Sequence, residues 1–295
     1  MKIEHPTVTP LIDLPLGCGE GPTWDEETGT LLFVDIPAPA LFRLDPATLK
    51  LERHDMPSAI GSFGLMAGGK AVVALKHGIH IYDFARRSLD LLCHPEPDRP
   101  TNRYNDGKVA PDGRFWVGTM DDRPERQPMA ALYRVEADGR FQKILDGLTV
   151  SNGLAWSPDG RTLWHSDSSQ KWVETFAYDL ANGGVSNRRQ VCVLENEDGR
   201  PDGAACDAEG FYWSAGVSAG CLNRIAPDGT LERKLVMPMP APTMPCFGGK
   251  DLKTLYVTSL TTDRTGTKVA GTLVALASDV AGAPIARFGE RLPGL

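Results

Sequence analysis

Glu20, Asn105, Asn152 and Asp202 are oxygen-bearing side chains scattered over most of the chain, yet they hold one position relative to a following turn. Asn105 stands seven residues before Asp112, Asn152 seven before Asp159 and Asp202 seven before Glu209, while Glu20 stands eight before Thr28, ahead of a slightly longer turn. Each is followed by Gly or, after Asn105, by Asp106-Gly107. Such pairs are ordinary turn formers, and Pro201-Asp202-Gly203 reads locally like Pro158-Asp159-Gly160. Shared phase separates the two cases, because groups in equivalent register can meet at one point. Two carboxylates brought together out of water repel and are costly to desolvate, and a cation relieves that cost. Glu, Asp and amide donors select a hard ion: Ca²⁺ first, then Mg²⁺ or Mn²⁺, with Zn²⁺ or Fe²⁺ less suited. Glu20, Asn152 and Asp202 as three protein ligands would leave coordination positions open, the arrangement of a catalytic metal.

The phase comes from an internal repeat. GPTWDEETGTLLFVD, FGLMAGGKAVVAL, GKVAPDGRFWVGT, GLAWSPDGRTLWHSD and GAACDAEGFYWSAG each read as apolar run, turn with Gly, apolar run, and FGGKDLKTLYVTS is a sixth copy. Their turns centre on Gly29, Gly69, Gly113, Gly160, Gly210 and Asp251, about 40–50 residues apart. Each copy is a hairpin, and a second apolar pair usually follows, as in LFRLDPATLKLERH and ALYRVEADGRFQKIL. Two hairpins per repeat make a four-stranded antiparallel blade, so the expected architecture is an all-β, six-bladed β-propeller filling residues 1–295 as one domain. VTPLIDL near the start alternates like a strand and is expected to pair with TLVALASD near the end, closing the ring. At the ring position, blade two offers Ile60 or Gly61 and blade six offers Met244 to Cys246, so the ring is polar on one side only.

Composition narrows the partners. A net charge of −7 argues against nucleic acid, whose binding needs clustered Lys and Arg. No apolar stretch approaches the ~18 residues of a membrane helix, and the N-terminal residues lack the form of a signal peptide. The six cysteines are scattered without a C-x-x-C pair and read as reduced thiols. The expected setting is cytoplasmic, as a monomer or weak homo-oligomer.

Gly19-Glu20-Gly21-Pro22, Asn102-Arg103-Tyr104-Asn105-Asp106-Gly107, Gly118-Thr119-Met120, Ser151-Asn152-Gly153 and Pro201-Asp202-Gly203 resemble, in order and spacing, the signature of the senescence marker protein, regucalcin and gluconolactonase family. Cys246-Phe247-Gly248-Gly249 and Leu252-Lys253-Thr254-Leu255-Tyr256 extend the resemblance through the last blade. It implies a six-bladed propeller with one divalent metal and hydrolysis of aldonic acid lactones. Glu20, Asn152 and Asp202 fall on the family's metal positions, and Arg103 and Asn105 on its substrate contacts. Family members often carry an acidic substrate contact just after Gly-Thr-Met. Here Asp121 and Asp122 follow that motif while direct counting lands on Arg123, and Asp122 is the residue assigned.

The expected reaction is metal-assisted opening of a pentono- or hexonolactone to the aldonic acid, with Asp202 as the base for the attacking water. Another metal-dependent esterase or phosphotriesterase on the same scaffold, or a non-enzymatic calcium-binding protein, is the alternative. Ser151 and Ser166 lack a nucleophile-elbow context, His165 reads as a hydrogen-bonded structural residue, and Trp172, off the repeat pattern, is a candidate for the channel mouth.

Overall fold

Alternating apolar side chains give the inner strands of this chain two faces to bury. In Thr30–Asp35, Leu32 and Val34 pack towards the second blade while Leu31 and Phe33 pack towards the sixth. The pattern recurs around the molecule, so six apolar cores lie between successive blades rather than in one centre. The structure, a computed structural model, describes residues 1–263 and 266–295, and among them it contains strands and turns but no helix.

Six sheets form the blades; in four the strands run in chain order from the axis outwards, and in blades five and six a segment from the start of the chain is added at the outer edge. The inner strands are Gly19–Asp25, Ile60–Met66, Asn102–Val109, Ser151–Trp156, Pro201–Cys206 and Pro242–Gly248. Each contacts the inner strands of both neighbours, closing a ring about a central channel. The expected closure is present: Thr9–Pro10 pairs antiparallel with Leu273–Ala277 as the outer strand of blade six. Lys2–Glu4 adds a parallel fifth strand to blade five against Leu231–Val236, which the sequence pattern did not suggest. Both additions cover outer edges that would otherwise present unpaired backbone groups.

Past the last strand, the chain runs across the far ends of the inner strands. Ala283 N donates to Cys206 O, Phe288 N to Leu65 O, Gly289 N to Gly113 O and Leu292 N to Pro111 O. Ala286 and Phe288 are buried in the core between blades two and three, and Ile285 and Ala283 pack on two others. Gly113, in the turn of blade three, has φ 85° and lies so close to Glu290 that a Cβ would stand 2.6 Å from its carbonyl oxygen. That turn therefore admits only glycine.

Candidate active site

Every inner strand breaks register with its neighbour at the same level. The irregularities fall between Glu20 and Thr23, Ile60 and Ser62, Tyr104 and Gly107, Asn152 and Ala155, Pro201 and Ala204, and Pro242 and Met244. A β-bulge re-aims the side chains beside it, and four of these six bulges carry or flank Glu20, Asn105, Asn152 and Asp202. In blade two the bulged residue is Gly61, one of the two residues (Ile60 or Gly61) that the repeat offered. In blade six it is Thr243, not Met244 to Cys246: counting back from a differently built turn stops short of the bulge. Thr243 Oγ1 donates to Gly19 O at 2.5 Å, bracing the strand that carries Glu20.

Blades four and five meet directly at the ring. Asn152 Nδ2 donates to Asp202 Oδ1 at 2.8 Å and to Ser168 Oγ at 2.8 Å, and Ser168 Oγ in turn donates to Pro201 O at 2.5 Å. The amide nitrogen is engaged, which leaves its oxygen to offer a cation. Glu20 Oε2 accepts from Gly21 N at 3.0 Å. Burial first, then the charges of Asp202 and Asp106, pushes the Glu20 carboxyl well above its ordinary range. Asp202 is raised to about 7 by burial and then by Asp106, against the lowering influence of Arg200, Asn152 and Arg103.

Asp106 is a participant the sequence did not single out for the channel. It is buried, accepts from Leu154 N at 2.9 Å and is raised chiefly by desolvation. Lys108 lies deeper in the same channel, donates to Ala204 O, and has its basicity lowered by burial. Both sit in Asn102–Val109, where the bulge turns successive residues to the axis. Three carboxyls (Glu20, Asp106, Asp202) gather near one lysine (Lys108), with Arg103 and Arg200 also acting on Asp202. Among the described residues no three His, Cys, Asp or Glu side chains gather on one metal-sized point. The proposed trio escapes that pattern because one of its donors is an amide. Two buried, destabilised carboxyls beside an amide oxygen fit a hard dication.

Arg103 and Asn105 form one unit at the rim of the ring. Arg103 donates to Asn105 Oδ1 at 2.8 Å and to Asp122 Oδ1 at 3.2 Å, and Asn105 Nδ2 donates to Ser151 O at 2.9 Å. Asp122 also lies 3.4 Å from Lys76 of blade two. Asp121 is elsewhere engaged: its buried carboxylate takes a fork from Arg123 at 2.9 and 2.8 Å and the Gln127 amide at 3.0 Å, pinning the loop that follows. Of the three residues after Gly118-Thr119-Met120, then, Asp122 alone faces Arg103.

Behind the ring runs a buried chain of polar contacts. Ser151 Oγ lies 2.8 Å from His165 Nε2, His165 Nδ1 3.0 Å from Glu174 Oε1, and Arg188 Nε 2.7 Å from Glu174 Oε2. The order of groups is that of a hydrolytic triad, but Ser151 is fully buried, and a Cβ on Gly118 would stand 2.1 Å from its hydroxyl. No substrate reaches it. Its backbone oxygen holds Asn105 and the next residue is Asn152, so the chain sets the position of both amides. Trp172 packs against His165 at 5.6 Å and on the core between blades three and four, and does not line the mouth.

The SMP-30/Gluconolactonase/LRE-like region matches residues 18–261. The chain belongs to this family. Regucalcin of Xenopus laevis is 39% identical over 246 residues, 82% of either chain. The 6-deoxy-6-sulfogluconolactonase of Pseudomonas putida is 37% identical over 266 residues, 90% of either chain. Among solved structures, a calcium-binding protein, regucalcin, from Agrobacterium tumefaciens superposes with a TM-score of 0.92 at 27% identity, over 98% of this chain and 100% of its own. A luciferin-regenerating enzyme follows at 0.87 and 29%, over 95% and 99%.

Proposed function

We propose that this chain is a sugar lactonase that opens an aldonolactone to the aldonic acid with the help of one divalent cation, Ca²⁺ before other ions, held by Glu20, Asn152 and Asp202. The observation that carries the reading is the pair of buried carboxyls, both raised above their ordinary range, with an amide hydrogen-bonded to one of them at 2.8 Å. The names of the Pseudomonas relative and of the family support a lactone as substrate.

When bound, such an ion supplies positive charge for a polarised carbonyl and makes water more acidic. Asp202, raised to about 7 before any ion binds, is the group placed to take the proton from the attacking water. As the water oxygen bonds to the carbonyl carbon and the ring C–O bond breaks, that proton passes to the ring oxygen, which leaves as a hydroxyl. Arg103 offers donors to the sugar hydroxyls and to the forming carboxylate. Asn105, held by Ser151 O and Arg103, fixes their orientation, and Asp122 holds the other side of Arg103 and accepts from a sugar hydroxyl. The six unpaired thiols suit a reducing compartment such as the cytoplasm.

The deciding experiment is a pH-stat assay on pentono- and hexonolactones, before and after chelation. Turnover lost with chelator and restored by a divalent ion is expected. Tight Ca²⁺ binding without any lactone turnover would instead favour a calcium-binding protein, the description carried by the Agrobacterium neighbour.

A further inference from the structure

Asn102–Val109 supplies none of the three proposed metal ligands, yet its side chains hold the backbone on which two of them stand. Asn105 Nδ2 donates to Ser151 O at 2.9 Å, just before Asn152. Asp106 Oδ2 accepts from Leu154 N at 2.9 Å, inside the break in register that follows Asn152. Asn152 is thus gripped from both sides. Asp202 is treated alike: Pro201 O accepts from Ser168 Oγ at 2.5 Å, and Ala204 O, where pairing resumes after the bulge, accepts from Lys108 Nζ.

The strand that provides these grips is itself wedged against blade two. A Cβ on Gly61 would stand 2.2 Å from Tyr104 O, and a Cβ on Gly107 would stand 2.5 Å from Ser62 Oγ. Backbones packed this closely leave blade three no room to slide. Counted from the repeat, Asp106 occupies the place that Gly21, Gly153 and Gly203 hold in blades one, four and five. Three blades leave that place without a side chain, and blade three fills it with an acceptor aimed at its neighbour. Asp106 is buried, and Lys108 lines the small cavity at the closed end of the channel. A loose bulge turns its side chain off the axis, whereas a binding constellation works only when its donors are held within about 0.5 Å.

Resting on the reading of Glu20, Asn152 and Asp202 as a metal site, we infer that Asp106 and Lys108 are positioning residues for it. Their bonds to Leu154 N and Ala204 O hold the bulges that aim Asn152 and Asp202 at one point. They act through the backbone of the neighbouring blades and take no part in bond breaking.

Calorimetry with Ca²⁺ on the full-length protein, first stripped by chelator, separates a bond from a charge. Asp106→Asn and Asp106→Ala lose the same negative charge, but only the former keeps an acceptor for Leu154 N. The former is therefore expected to bind Ca²⁺ about tenfold or more tightly than the latter, the typical effect of one buried hydrogen bond. Lys108→Met removes a positive charge, which by Coulomb attraction alone would tighten Ca²⁺ binding. Lost positioning is expected to weaken it about tenfold instead. In Ca²⁺-saturated protein, Asp106→Ala and Lys108→Met are expected to lower kcat on lactones more than they change KM. Melting temperature identifies a variant that does not fold, and Lys108→Met, which keeps an unbranched chain of similar length, carries the test if Asp106→Ala is lost. Equal affinity in the two Asp106 variants, or Ca²⁺ binding unchanged or tighter in Lys108→Met, overturns the inference and leaves the metal site in place. Wild-type protein that binds Ca²⁺ but hydrolyses no lactone removes the lactonase reading alone. Wild-type protein that binds no divalent ion removes the site and this inference with it.

Discussion

The two ends of the channel are built from the same six strands and have opposite characters. At one end the bulges turn Glu20, Asn105, Asn152 and Asp202 inwards, and Arg103 stands beside Asn105 at the opening. At the other, inner-strand residues such as Pro22, Ala155 and Cys246 meet Pro284, Ile285 and Leu292 of the C-terminal segment around a small, largely apolar cavity. Lys108 lies between, facing the small cavity with Asp106 above it. The difference shows how a repeat divides its labour. Strand beginnings, interrupted in register, carry the proposed site, whereas strand ends are capped by a segment that belongs to no repeat.

The strongest way to break this contrast acts on the open end. Asp202→Asn is expected to lower kcat by about 10²–10⁴-fold in protein that melts normally, and turnover near wild type in a pH-stat assay would remove Asp202 as the base. At the closed end Phe288→Ala is expected to cost about 3–5 kcal/mol by denaturant titration, the loss typical of a buried aromatic, while the folded fraction keeps its kcat/KM. A matching collapse of activity would mean that the capped end shapes the site after all.

A smaller effect tests the buried chain that supports the ring. His165→Leu leaves Ser151 and Glu174 without their partner and is expected to cost about 1–3 kcal/mol. If the chain positions Asn105 and Asn152, metal affinity by calorimetry also falls, and His165→Gln recovers part of it. Unchanged affinity would reduce His165 to a packing residue. The smallest effect concerns the rim. The Arg123 fork, aided by the Gln127 and Arg123 amides, holds Asp121 well below the usual value of 3.8. A depressed carboxylate stabilises only while ionised, so its contribution is full above 3.8 and fades as pH falls below that value. Hydrogen exchange in residues 122–129 is expected to rise on acidification before the strands respond, and uniform exchange would show that Asp121 does not pin the loop.

The blades were legible because turn chemistry repeats with the chain: a glycine or aspartate between two apolar runs states where each hairpin reverses. The ring was legible for the same reason, since phase converts into position around an axis. The bulges were not, because backbone register leaves little mark on residue type. This is why the count for blade six gave Met244 to Cys246 instead of Thr243, and why Asp106, seen only as part of a turn pair after Asn105, did not stand out as a third channel carboxylate. The contacts of His165 with Ser151 and Glu174 join neighbouring strands of one blade, yet no local motif names them as a set. Residues 281–295 carry no period, so nothing in their sequence foretold a cap. Trp172 misled because departure from the pattern marked a packing partner for His165 instead of a rim residue.

Blade six borrows its outer strand from residues 9–10, the opposite extreme of the chain from Leu273–Ala277. A nascent polypeptide must therefore keep that short segment in waiting until the last blade has emerged and can take it up. Until then one sheet edge stays bare and able to pair with another molecule. Ring closure thus falls late in assembly, and loss of the first ten residues is better described as a hazard of sticking together than as a loss of catalysis.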